Sequence, residues 1–219
     1  MTNKPDEFIA PVCHGNIDIL YQDDAILVIH KPSGLLSLSG KNPLNIDSVH
    51  HRLVQNHPTA LLVHRLDFGT SGLMLVALSK PIVKNLNTQF SNRTVKKVYQ
   101  AVLDGVLKND IGIIDLPIAK GVFPLQTICD KTGKAAQSEY VVLKRLPDRT
   151  HVQFMPLTGR THQLRIHSAA IHHPILGCDL YGNEISQGKS NRLMLHASEL
   201  EFDHPLTGER MRFSHPSFF

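Results

Sequence analysis

Tryptophan is absent from the 219 residues, and aromatic residues make up only 6%. Cysteine is scarce as well. Cys13, Cys129 and Cys178 are far apart, odd in number and form no CxxC pair. This pattern excludes a zinc ribbon and a disulfide framework, and it fits a reducing cytoplasm. No apolar run approaches the roughly 20 residues of a membrane helix, so no membrane partner is expected. The opening stretch "MTNKPDEFIAPVCHG" has no apolar core of the kind a signal peptide carries. Charged residues are limited to 19% while hydrophobic ones reach 42%, which argues against a disordered chain and allows a sizeable core. Although there are 14 histidines, they supply no HExxH, and the pairs His50-His51 and His172-His173 cannot share one helix face. No Walker loop, GxGxxG or G-x-S-x-G elbow occurs either. No metal site is expected.

What is present is a modest positive charge of +4. It suits a polyanionic partner such as nucleic acid, although many basic proteins have none. "IDILYQDDAILVIHKPSG" reads as two strands around Gln22-Asp23-Asp24, ended by Lys31-Pro32-Ser33-Gly34. A short helix capped by Asp47 or Ser48 runs to Gln55. Gly72–Leu78 reads as a buried strand, followed by a helix from Ser79 with Val83, Leu86 and Phe90 on one face. Val95–Leu107 is a strand, and Ser138–Leu146 with His151–Leu157 forms a hairpin. Thr158 or Thr161 is expected to cap a helix carrying Leu164, His167, Ser168 and Ile171. Arg192–Phe202 and Glu209–Phe213 close the chain as an antiparallel pair. Strands outnumber helices without βαβ alternation, which predicts an α+β fold with a mixed, mainly antiparallel sheet flanked by helices and loops. With no repeat or linker in view, residues 17–219 are expected to form one domain behind a flexible arm of residues 1–16.

Three clusters carry candidate chemistry. In "HRLDFGTSGL" the carboxylate of Asp67 sits between Arg65 and a Thr-Ser-Gly turn, just before the apolar strand. Asp favours turns, so a turn role alone explains it. A carboxylate close to a buried core nevertheless needs a cation or donors to stay charged. In "TGRTHQLRIH" most polar residues read as a solvated basic face, but Arg165 lies between Leu164 and Ile166, and a partly buried arginine calls for an anion. In "VKKVYQAV" Lys96 and Lys97 beside Tyr99 suit phosphate contact next to a stacking ring, or an ordinary strand with a core tyrosine.

Together "VHRLDFGTSGL", "KPSGLLS", "KKVYQA", "LTGRTHQLRIH", "HPILG" and "RLMLHA" resemble the motifs of the RluA family of pseudouridine synthases, in that family's order, from about Ile19 to Phe213. The resemblance implies the pseudouridine synthase fold as a catalytic domain alone, without the small S4 RNA-binding domain. It also implies the isomerisation of uridine to pseudouridine in structured RNA, either large-subunit rRNA or tRNA anticodon stem-loops or both. No atom is gained or lost overall, so no cofactor is required. Under this resemblance Asp67 is the nucleophile or base, attacking C1′ or removing a proton from C2′. Arg165 is its cation, and Tyr99 stacks on the flipped uracil. Arg65 fills the gap left by the base or holds its phosphate. Leu66, Leu164 and Ile166 dry the pocket, and Lys31, Lys96, Lys97 and Arg160 contact phosphates. A monomer is expected. Three departures from the family pattern stand out, the first being His30 before Lys31-Pro32, where asparagine is common. Cys178 replaces an aspartate, with Asp179 next to it, which is expected to alter a local turn more than the chemistry. "AKGVFPLQTICDKTGKA" (119–135) matches no motif. The rival readings are a non-catalytic RNA-binding protein of the same fold, a nucleoside or base glycosidase, and a metal-dependent nuclease.

Overall fold

The strand after the Asp67 turn lies in the longest unbroken run of buried residues among the described residues. Every residue from Ser71 to Ala77 is buried, as a continuous apolar run covered on both faces requires. The computed structural model describes residues 8–219. Among these residues the elements are β1 (Asp18–Gln22), β2 (Ile26–Lys31), α1 (Val49–Val54), β3 (Leu61–Leu62), β4 (Ser71–Ala77), α2 (Lys80–Ser91), β5 (Lys96–Asp104), β6 (Ile111–Asp115), β7 (Ile118–Lys120), β8 (Gln126–Ile128), β9 (Gln137–Leu146), β10 (Arg149–Pro156), α3 (Gln163–Ala170), α4 (Glu184–Gly188), β11 (Leu195–Asp203) and β12 (Arg210–Ser214). The chain divides into two compact units. One holds the residues up to Lys96 together with Ala197–Pro216, and the other holds Lys97–His196 with Ser217–Phe219. Nothing in composition or linker content announces this division.

In the first unit β2 pairs antiparallel with β1 on one side and β4 on the other, and β12 pairs antiparallel with β11. Helix α2 lays Ile82 and Leu86 into a core shared with Val28, Leu73, Leu75, Leu200 and Phe202. Ser48 caps α1 as expected, accepting from the His51 amide at 3.1 Å. The described part of the N-terminal arm is not loose. Arg52 donates to the carbonyls of Cys13 and Gly15, and Asn45 exchanges bonds with Ala10 and Phe8. From residue 8 onward these side chains fasten the backbone of the arm expected to be flexible; residues 1–7 lie outside the described residues.

In the second unit β5, β10, β9 and β6 lie side by side, with antiparallel pairings. Their core includes Ala101, Leu103, Val152, Phe154, Leu164, Ile175 and Leu195. Helix α3 begins differently from expectation. Neither threonine caps it; the chain enters through His162 in the left-handed region at φ 57°. Thr158 is occupied elsewhere, its hydroxyl donating to Gln163 Oε1 at 2.8 Å. β6, β7, β8 and α4 fall where the sequence suggested no element. No helix among the described residues is long and apolar enough to cross a membrane.

Candidate active site

In the first unit, "KPSGLLS" and "RLDFGTSG" turn out to be one structure. Every backbone carbonyl from Leu66 to Thr70 accepts a hydrogen bond. Ser37 Oγ donates to Leu66 O at 2.7 Å, and the Thr70 amide donates to Asp67 O at 3.1 Å. The Gly34 amide and Lys31 Nζ both reach Phe68 O, Ser33 Oγ reaches Gly69 O at 2.6 Å, and Lys31 Nζ reaches Thr70 O at 2.8 Å. The loop therefore presents the half-buried Asp67 on a backbone whose carbonyls are all satisfied from Leu66 to Thr70, which favours a rigid presentation. At the loop's exit Gly72 has φ 121°, and a Cβ there would collide with the backbone of Ala197. His64 secures the other side, its Nε2 accepting from the Leu75 amide at 2.9 Å. That bond makes Nε2 the unprotonated nitrogen.

Lys31 corrects an expectation. Its exposure is 0%, and Nζ also donates to Pro32 O at 2.9 Å. A lysine whose donors are spent on internal carbonyls cannot serve as a phosphate contact; it fastens β2 to the Asp67 loop. Arg65 is exposed and Leu66 buried. Lys96 is open to solvent, 3.8 Å from Glu201.

In the second unit Tyr99 lies on β5 opposite Phe154. It is half-buried against the cluster that contains Leu164. Lys97 is also half-buried, and desolvation holds its ammonium below the ordinary lysine range. Arg160 donates from Nε to Ala135 O at 3.1 Å. Arg165 is 4% exposed, so the basic face of α3 is not solvated at this position. Its Nη2 donates to Asp179 Oδ1 at 2.5 Å and its Nε to Cys178 Sγ at 3.4 Å. The departure from the family pattern at these two positions therefore touches Arg165 directly rather than only the turn. Leu164 and Ile166 point into different clusters. Ile166 joins Ile118 and Ala136, with Tyr181 against them. The sequence missed Tyr181, whose ring centre stands 5.5 Å from the Arg165 guanidinium carbon; its only sequence signal was membership of the unmatched "CDLYG" departure.

His167 is a structural residue. It is fully buried, with Nε2 bonded to Leu116 O at 2.9 Å and Nδ1 to Ser138 Oγ at 3.0 Å. A carbonyl can only accept, so Nε2 carries the proton and Nδ1 accepts from the serine. Burial lowers its affinity for a second proton. The unfolded chain then binds that proton more readily, so this contribution to stability is intact above about pH 6.5 and is lost as pH falls below it. His167→Asn is expected to flatten the fall in Tm between pH 7 and pH 5, measured beside the parent protein; parallel curves would show that His167 carries no such linkage.

The profile of the RNA pseudouridylate synthase family matches residues 25–170. The Dual-specificity RNA pseudouridine synthase RluA of Yersinia pestis is 47% identical over 198 residues, covering 89% of this chain and 96% of that protein. Its namesake in Escherichia coli (strain K12) is 44% identical over 204 residues, covering 92% and 93%. Among solved structures, Human RNA Pseudouridylate Synthase Domain Containing 1 aligns with a TM-score of 0.80 at 29% identity, covering 94% of this chain and 86% of that one. A profile match across most of the chain, and relatives aligned over nearly all of it, lead to one conclusion: the chain belongs to the RNA pseudouridine synthase family, whose members isomerise uridine in RNA.

Proposed function

We propose that this chain converts particular uridines of structured RNA to pseudouridine, with Asp67 as the reacting carboxylate. The observation that carries this reading is the run of satisfied carbonyls from Leu66 to Thr70, which holds one acid on a fixed backbone. The carboxylate attacks C1′ or takes a proton from C2′. The N1–C1′ bond breaks, uracil turns, C5 bonds to C1′, and the C5 proton leaves as N1 gains one. Arg165 acts as the cation that keeps Asp67 ionised, and its burial supports a role inside the site. Tyr99 stacks on the turned base. Leu66 and Leu164, both buried, help exclude water, which would otherwise hydrolyse the intermediate. Arg65, exposed on the same loop as Asp67, holds the backbone of the flipped nucleotide, and Lys96 and Arg160 contribute salt-sensitive affinity. Large-subunit rRNA and tRNA anticodon stem-loops are both substrates in this reading, supported by the words "dual-specificity" in the relatives' names. The protein works as a monomer in the cytoplasm.

The test is to incubate purified protein with unmodified rRNA and tRNA transcripts and map pseudouridine at single-nucleotide resolution, while following tritium release from C5-labelled uridine. Discrete sites with stoichiometric tritium release are expected, unaffected by EDTA. Free uracil among the products would instead identify a glycosidase. RNA binding without tritium release would identify a non-catalytic protein of this fold.

A further inference from the structure

Strand β6 ends the order of strands in the second unit, and among the described residues it pairs with β9 alone. Its register runs unbroken from Ile111 opposite Val141 to Asp115 opposite Gln137, without the bulge that interrupts the β9–β10 pairing. The Val142 amide donates to Asp110 O at 2.7 Å. Backbone groups alternate in direction along an antiparallel strand, so Gly112 and Ile114 also turn theirs toward β9. The N–H and C=O of Ile111 and Ile113 therefore point away from the sheet. Among the described residues none of these four groups forms a hydrogen bond. Natural sheets blunt such an edge with Lys, Pro or a bulge, and β6, with the sequence IGIID, has none of these.

The side chains sort in the same way. Ile114, Tyr140 and the buried Ser138 face the core. Ile111 at 69% and Ile113 at 63% exposure stand on the opposite face, with Val141 and Glu139 as their cross-strand neighbours. At one end of this face Asp115 accepts from Gln137 Nε2 at 2.8 Å. Neither Asp115 nor Glu139 is ion-paired among the described residues. These features together specify an occupant. Open main-chain groups select an extended strand, apolar residues at alternate positions cover the isoleucines, and a Lys or Arg answers the two acids. A second copy of β6 would not supply that cation, because its own charged residue is Asp115. Nucleic acid is disfavoured, because its phosphates would meet the same two carboxylates.

We propose that β6 is a docking edge for a basic extended segment of a protein partner. The segment adds antiparallel to β6, the slightly more stable orientation, and reads basic–x–apolar–x–apolar from its N-terminus. Its basic residue lies opposite Asp115, and its apolar residues lie opposite Ile113 and Ile111. Binding of this kind involves neither Asp67 nor RNA.

The probe is a capped peptide containing Lys-Thr-Ile-Thr-Val, titrated into the full chain while backbone amides are followed by NMR and hydrogen exchange. Saturation is expected to slow exchange of the Ile111 and Ile113 amides by about tenfold or more, with Gly112 and Ile114 little changed. Ile113→Pro removes one outward N–H and leaves the bonds to β9 in place, as proline on a sheet edge does, so it is expected to weaken binding about tenfold. Ile113→Thr keeps a strand-forming residue and removes most of the apolar contact. It should weaken binding several-fold while Tm stays within about 2 °C of the parent. Asp115→Asn combined with Glu139→Gln should remove the salt dependence of binding. No binding by the parent protein at millimolar peptide, or parent affinity in either Ile113 variant, overturns the docking edge. Equal binding of a peptide with Glu in place of Lys overturns the requirement for a cation. Self-association in sedimentation that Ile113→Pro abolishes would give the edge to a second copy, and displacement of the peptide by a stem-loop transcript would give it to RNA. Either result overturns the assignment to a basic protein segment.

Discussion

Asp67→Asn is expected to abolish tritium release from C5-labelled uridine, a loss of roughly 10⁴-fold or more on the scale of other removed catalytic nucleophiles. The affinity for RNA should stay within about threefold of the parent protein, because phosphate contacts dominate it. The reasoning rests on how the loop is held. The bonds that fix residues 66–70 are received by backbone carbonyls, from Ser33, Gly34, Ser37 and Lys31. Exchanging a carboxylate for an amide of the same shape leaves those bonds in place, so lost turnover would report on chemistry and not on a misplaced loop. Parent-like tritium release from Asp67→Asn would show that another group performs the reaction.

Lys31→Met should give the largest loss of stability. Methionine fills a similar volume but has no donor. The carbonyls of Pro32, Phe68 and Thr70 would each lose a bond from a charged donor; Phe68 O keeps the Gly34 amide, while a buried acceptor left without its partner, as at Pro32 and Thr70, costs on the order of 1–3 kcal/mol. A total loss near 3 kcal/mol or more is expected, equivalent to about 6–12 °C in Tm for a chain of this size. Denaturant and thermal melts of the parent and variant decide it. A change under about 1 kcal/mol would mean that the loop finds other donors. Activity at low temperature should fall as well, because the variant frees the segment that carries Asp67.

Much of this was legible in the residues. The continuous apolar run after Asp67 announced β4, Ser48 announced its helix, and the placing of Arg165 between Leu164 and Ile166 announced a buried guanidinium. Lys31 was misread because a lysine beside a Pro-Ser-Gly turn looks solvent-facing. Its true partners are backbone carbonyls up to 39 positions away, and backbone acceptors leave no trace in side-chain identity. The same reason hid the joining of "KPSGLLS" to the Asp67 loop. Tyr181 escaped because its hydroxyl meets a backbone amide of β8, and the short strands β7 and β8 carry too few alternating residues to register as strands. The start of α3 was misassigned because Thr158 looks like a cap, whereas its hydroxyl is bound to Gln163 and the backbone turns at His162.

The tie between the Gly34 amide and Phe68 O implies something about how this site fails. Two segments more than thirty positions apart share their hydrogen bonds, so neither can open alone, and they form one cooperative unit in the sense of native-state exchange. The Gly34 amide proton should therefore exchange with solvent deuterium only when the segment carrying Asp67 also lets go. On mild heating, the fraction of active enzyme and the protection of that single amide should decline along one curve, well before the cores of β4 and β10 admit solvent.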